Sequence, residues 1–302
     1  RLALRSFVLP ALLVLVALLA VLNVANTAQL VRTDYTLVEH TKAQYAANHM
    51  DFAADLRKPV SVTTHGDQQS ITNLARYDFD TMATASAAIS PASSGHEARK
   101  YFGFLLYPAI FVLLGLWMST SPRRHHLEKA ILVRAGTART VAARQLALLV
   151  CAAAIVAVTL LADVLARAVA HASIASQLPL DVFRPLTPPA PQNPWAQWGV
   201  ILLVVLFFGW GGMAVGSFAG VFVIPCIVFL AYDYVIPLLA AHDPRNWFAV
   251  LGHSVFSYDT GFALTEPIPL GVPIALMAVV TVTASLGAVG YLGIRIRNPL
   301  AT

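Results

Sequence analysis

Five stretches of this chain carry no charged residue: Ser6 to Gln29, Tyr101 to Thr120, Gln145 to Ala162, Trp195 to Tyr232 and Gly271 to Ile294. Each is near or above the roughly 20 apolar residues that a helix needs to cross a bilayer. The fourth is long enough for two crossings and contains GWGGMAVGSFAG, so a tight turn between Ser217 and Gly220 divides it. The pattern predicts an all-α polytopic membrane protein with six spans, at 6–27, 101–120, 145–166, 196–217, 221–240 and 271–294. The first stretch is too long for the core of a signal peptide and is read as a span. The chain begins at Arg1, and an interfacial helix ahead of the first span is expected to lie before it.

The polar residues between these stretches are unevenly shared. The largest block, 28–100, reads as helical: Val38, Tyr45 and Phe52 recur at seven-residue spacing, with Leu56 one turn on and a stop at Lys58-Pro59. A second stripe, Ile71, Leu74, Met82 and Ile89, follows the turn signal His65-Gly66-Asp67. Two apolar faces of this kind form a helical hairpin packed on itself, or else a lid over a substrate path. Between the third and fourth spans (167–195), RPLTPPAPQNPW excludes helix and favours an extended strap. The loop 241–270 mixes aromatics with turn residues, and Trp195, Trp198 and Trp247 stand where an aromatic belt would.

Composition agrees, with 58% of residues hydrophobic and only 12% charged. The basic residues then set orientation, because short cytoplasmic segments retain Lys and Arg. With the N-terminus inside, the inner segments hold Arg1 and Arg5, the loop 121–144 and the C-terminal Arg295 and Arg297, with Glu128 as their one acid. Both termini are thus expected in the cytoplasm, the block 28–100 outside, and the protein in the inner or plasma membrane. The net charge of +5 suits acidic lipid headgroups, and no nucleic-acid partner is expected.

Several chemistries are missing. No GxxxxGK[ST] occurs and none of the four lysines follows a glycine, so a P-loop ATPase is excluded. No GxSxG elbow occurs, and the histidines show no HxxxH spacing that would hold a metal. Cys151 and Cys226 lie in spans and define no disulfide framework. Gly212, Gly216 and Gly220 repeat at four-residue spacing, which lets helices approach closely. Two acids fall within or at the edge of spans, where a charge is a functional candidate by default. Asp163 has Arg167 four residues on and can pair along the helix, whereas Asp233, between Tyr232 and Tyr234, has no local partner.

The basic loop, RRHHLEKAILVRAGTARTVAAR, divides at Gly136. Before it, Leu127, Ala130 and Ile131 take one side of a short amphipathic helix; after it, Thr137 can cap a helix leading through Arg139 and Arg144 into the third span. Such a helix holds anionic lipid or docks a cytoplasmic partner.

In its six spans, inward-facing ends, outer segment and inner helix, the chain resembles the permease subunits of ABC-2 type ATP-binding cassette exporters. Their coupling helix opens on a glutamate, continues with a glycine or proline, a small residue and an arginine, and leads by a basic residue into the third span. Glu128, Gly136, Thr137, Arg139 and Arg144 follow that order. The resemblance implies ATPase docking through Glu128, Lys129, Arg134, Gly136, Thr137 and Arg139. It implies two separate ATPase subunits that carry ATP and Mg, and a second permease chain, identical or homologous. The path would lie along the second and fifth spans, so that Phe104, Tyr107, Phe111, Phe229 and Asp233 line it, with no catalytic residue or cofactor in this chain. An aromatic, apolar path suits a hydrophobic or amphipathic substrate. The outer segment is longer than in the simplest members. The alternative reading is a membrane sensor or assembly scaffold whose outer segment binds a ligand or partner.

Overall fold

The computed structural model describes residues 7–65, 68–124, 127–184, 193–256 and 264–297. Helix dominates because the apolar runs can satisfy their backbone in hydrocarbon only internally. The helices are α1 (Val8–Ala47), α2 (Phe52–Asp55), α3 (Leu74–Ile89), α4 (Ser94–Tyr101), α5 (Tyr107–Arg124), α6 (Glu128–Ala135), α7 (Thr137–Ala175), α8 (Pro194–Ala219), α9 (Val223–Tyr234), α10 (Pro244–Val255) and α11 (Val272–Arg297). Among the described residues, five helical stretches are long and apolar enough to cross a membrane, those of α1, of α4 with α5, of α7, of α8 and of α11. The expected fifth span, 221–240, is not among them. α9 covers 12 residues, about 18 Å of rise. The chain then turns through 235–243 and resumes as α10, also of 12 residues.

α5, α8 and α11 run parallel, and glycines set their separation. A Cβ on Gly212 would meet the Val112 carbonyl, one on Gly115 the Gly209 carbonyl, and one on Gly216 the Ser119 hydroxyl. Main chains therefore touch directly, as the small-residue spacing anticipates for Gly212 and Gly216. Along the other side of α8, Gly287, Gly290 and Gly293 of α11 lie against Trp210, Ala214 and Phe218 in turn. Gly220 serves differently. Its φ of 70° ends α8 in the left-handed conformation, and its N–H returns to the Gly216 carbonyl, so the expected turn is found.

α1 spans 40 residues and α7 spans 39, each close to 60 Å, twice the hydrocarbon thickness. α1 therefore continues without a break into the block 28–100, and the end of α7 runs beside it. There Val24, Val31 and Val38 of α1 pack on Phe79, Met82 and Ile89 of α3, with Ile174 and Phe183 completing the cluster. The self-packed hairpin is the observed arrangement. It differs from expectation in two ways: β1 (Val62–His65) and β2 (Gln68–Ile71) form an antiparallel pair at the turn signal, and Leu74 is exposed, off the stripe. This lobe defines one end of the bundle; the helix α6 defines the opposite, basic end. Most of the proline-rich strap falls at 185–192, outside the described residues.

Asp163 and Arg167 pair along α7 at 2.8 Å, as their spacing predicts, and both are fully buried. Arg167 also donates to the carbonyl of Ala88, near the C-terminal end of α3. The pair thereby bolts the long helix to the lobe.

Candidate functional site

At Phe102–Leu106, between α4 and α5, the helix widens to π-type spacing. The cause lies two residues on: Pro108 offers no N–H and its ring crowds the carbonyl four residues back, that of Phe104. The Tyr234 hydroxyl donates to the Leu105 carbonyl at 2.5 Å, which fastens the end of α9 to this turn. Phe208 of α8 faces Phe229 of α9 at 5.8 Å between ring centroids and Phe248 of α10 at 5.4 Å. Because Gly103 sits beside Ile201, the Asp233–Tyr234 pair lies roughly 15 Å along α8 from its lobe end, with Asp233 half-buried and Tyr234 exposed.

The break between α9 and α10 is closed by two side chains. Asp243 accepts from the Arg245 main chain at 2.9 Å as the cap of α10, and from the Tyr232 hydroxyl at 2.5 Å. Arg245 commits all five of its guanidinium N–H groups. Nε and one Nη bond Asp243 at 3.2 and 2.7 Å, and the remaining three N–H groups serve the carbonyls of Tyr232, Ile236 and Pro237 at 2.6, 2.5 and 2.9 Å. Of these, the Tyr232 carbonyl is one that α9 leaves unpaired at its C-terminal end, while those of Ile236 and Pro237 follow just beyond it; a cation there also complements the dipole. Asn246 finishes the closure by bonding both the N–H and the carbonyl of Ile268, at 2.8 and 3.1 Å.

Between the widened turn and this closed break is a cavity of about 400 Å³, lined by Phe104, Val204, Phe208, Asp233, Arg245 and Phe248 among others. A second, more apolar hollow of about 240 Å³ lies toward the basic end, with Phe229 and Pro225 on one side and Gly212 on the other. Of the expected path residues, Phe104 and Asp233 share the first cavity and Phe229 lines the second. Tyr107 and Phe111 line neither; they are buried in the core with their rings 5.4 Å apart. Asp233 makes no hydrogen bond or ion pair with any described residue, although it lies within the field of Arg245 and Asp243.

At the basic end, α6 and α7 meet at Gly136, whose φ of 73° and ψ of 161° form a combination essentially reserved to glycine. Gly136, not Thr137, occupies the cap position, and Thr137 is the buried first residue of α7. Glu128 is buried too and reaches Arg144 of α7 at 3.4 Å. The face α6 turns inward thus carries Glu128 and Leu132, four residues apart, and Leu132 packs with Val141, Tyr291 and Ile294. The expected apolar side is not the buried one: Leu127 and Ala130 are exposed. Lys129, Val133, Arg134 and Arg139 are exposed as well, with Val133 at 78%. The residues expected to dock an ATPase therefore divide into Glu128 and Thr137, which are buried, Gly136, which is half-buried, and Lys129, Arg134 and Arg139, which form an exposed basic face.

Asp243, Arg245 and Asn246 were not singled out in the sequence, because HDPRNW was read as loop. The signal was present: an aspartate followed by proline is a cap followed by a first helical turn.

No protein-family profile, characterised protein or solved structure matches this chain. Fold and site define its class at a coarser level, an all-α, multi-pass membrane protein.

Proposed function

We propose that the chain is the permease subunit of an ATP-driven exporter, working as one of two permeases with two separate ATPase subunits that bind ATP and Mg. The observation that carries this reading is the construction of α6. It is hinged at a glycine-only backbone position, pinned to α7 by Glu128 and Arg144, and presents Lys129, Val133, Arg134 and Arg139 outward. A partner that pushed on that face would move α7 as a lever. In this reading the basic end faces the cytoplasm and the lobe lies outside, in the inner or plasma membrane. Substrate would pass beside the broken α9–α10 segment, since discontinuous helices in transporters place binding groups at membrane depth.

The test is purification of the chain from native membranes in mild detergent with whatever ATPase accompanies it. Reversing Lys129 and Arg134 to glutamate is expected to detach the ATPase while the chain remains folded. A complex that stays intact and fully active sinks the docking assignment.

One observation favours the second reading, a sensor or assembly scaffold. α7 runs unbroken from the α6 hinge to the Arg167–Ala88 contact at the lobe, so a ligand on the lobe could also be relayed to the basic end. Recovery of a kinase or a lobe-bound protein in place of an ATPase would select it.

A further inference from the structure

The chemistry of the 400 Å³ cavity narrows what can occupy it, if the substrate-path reading above holds. Its volume suits a drug-sized molecule. Its walls are largely aromatic and aliphatic, from Phe104, Pro108, Val204, Phe208, Phe248 and Leu264. Two ionisable groups of opposite sign line it, and they are not equivalent. Every N–H of Arg245 is spent on Asp243 and on the carbonyls that end α9, and Asp243 offsets its charge. Arg245 is also stacked on the Tyr232 ring, 4.1 Å from its centroid. It has no donor left for a ligand anion. Asp233, with no hydrogen bond or ion pair to any described residue, is the uncommitted group. The site thus carries one unspent negative charge inside an aromatic enclosure. A monovalent cation with apolar substituents matches both, since ring faces attract cations and the carboxylate supplies the counter-charge that a low-dielectric site otherwise withholds. Among the described lining residues, an anionic ligand would meet Asp233 with every N–H of Arg245 already spent and only the rim hydroxyl of Thr265 as a donor.

We propose that this cavity binds an amphipathic monovalent organic cation, such as a tertiary amine or a quaternary onium ion, with Asp233 as its counter-ion and Phe104, Phe208 and Phe248 as its aromatic walls.

The experiment measures equilibrium binding of radiolabelled tetraphenylphosphonium to the purified full-length chain in lipid nanodiscs, with triphenylphosphine oxide as the uncharged aryl control. Asp233→Asn is expected to weaken phosphonium binding about tenfold or more and to leave the oxide unchanged. Thr265→Trp, at the exposed rim of the cavity, is expected to weaken both ligands. It also keeps the proposal open to refutation should Asp233→Asn fail to fold. Absence of phosphonium binding to the unaltered chain, equal binding by Asp233→Asn, or full binding by Thr265→Trp would overturn the proposal. The assay contains no ATPase. Its failure therefore leaves the exporter reading to the co-purification experiment, and failure of that experiment leaves the cation site intact.

Discussion

Arg167 meets Asp163 at 2.8 Å inside the protein, with neither side chain reaching solvent, and spends another N–H on the Ala88 carbonyl. One oxygen of Asp163 is buried without a hydrogen bond to any described residue, so the pair is balanced on a single contact. Replacing Arg167 by leucine leaves Asp163 as an uncompensated buried charge and is expected to cost about 3–5 kcal/mol. The double change of Asp163 and Arg167 to leucine should recover most of that loss. Denaturant titration in mild detergent, comparing the single and double variants, measures the difference.

Gly136 tests the joint at the basic end. A Cβ there would meet nothing within 4 Å, so any penalty is backbone strain alone. Alanine and asparagine should both cost about 1–3 kcal/mol; asparagine gains nothing because a ψ of 161° lies outside the left-handed helical region that it tolerates. The apparent unfolding midpoint of each variant reads this, and a neutral asparagine substitution would refute the assigned backbone geometry.

At the lobe end the Gln197 amide is read from both sides. Its oxygen accepts from Arg99 at 2.8 Å, while its nitrogen faces His96 Nδ1 at 3.1 Å and donates to the Val255 carbonyl at 3.1 Å. Nδ1 must then be unprotonated. His96→Ala removes that acceptor and leaves an amide N–H without it, so the apparent unfolding midpoint should fall, by about 1 kcal/mol of stability. An unchanged midpoint would count against the contact.

The glycine seam between α5 and α8 predicts a steric outcome. Gly212→Val places atoms where the Val112 main chain already lies, and no side-chain rotation relieves that overlap. Failure to recover monodisperse protein is expected. Gly199→Val, at an exposed position of the same helix with open space around its Cβ, should be recovered normally.

Much of this architecture was readable from local pattern. Gly212 and Gly216 announce a close helix pair, Gly220 a turn, and Asp163 with Arg167 an ion pair one helical turn long. What escaped reading depended on distant partners. Glu128 was placed among the residues expected to dock a partner, and its burial was not foreseen because the arginine it reaches stands sixteen positions on, across a hinge. The expected fifth span looked like a full crossing because hydropathy reports composition over a window; it is blind to a helix that stops at Tyr234 with its end closed by Arg245, a residue placed by the same reasoning in a loop. The first span was ended at residue 27 because the charge-free run stops soon after, ahead of Arg32, yet α1 continues to Ala47 through Gln and Arg, which are good helix formers.

The two 60 Å rods also govern what can be exchanged between proteins. A lobe joined through flexible linkers could be lifted out and replaced, as domains in recombined proteins often are. Here excision at any point of 28–47 severs α1 in mid-helix, and a cut ahead of Val38 also takes valines from the cluster that holds Ile174 and Phe183. A chimera that grafts a foreign lobe must therefore keep the valine ladder at 24, 31 and 38 in helical register, which makes the lobe an inheritance of the whole bundle and not a detachable accessory.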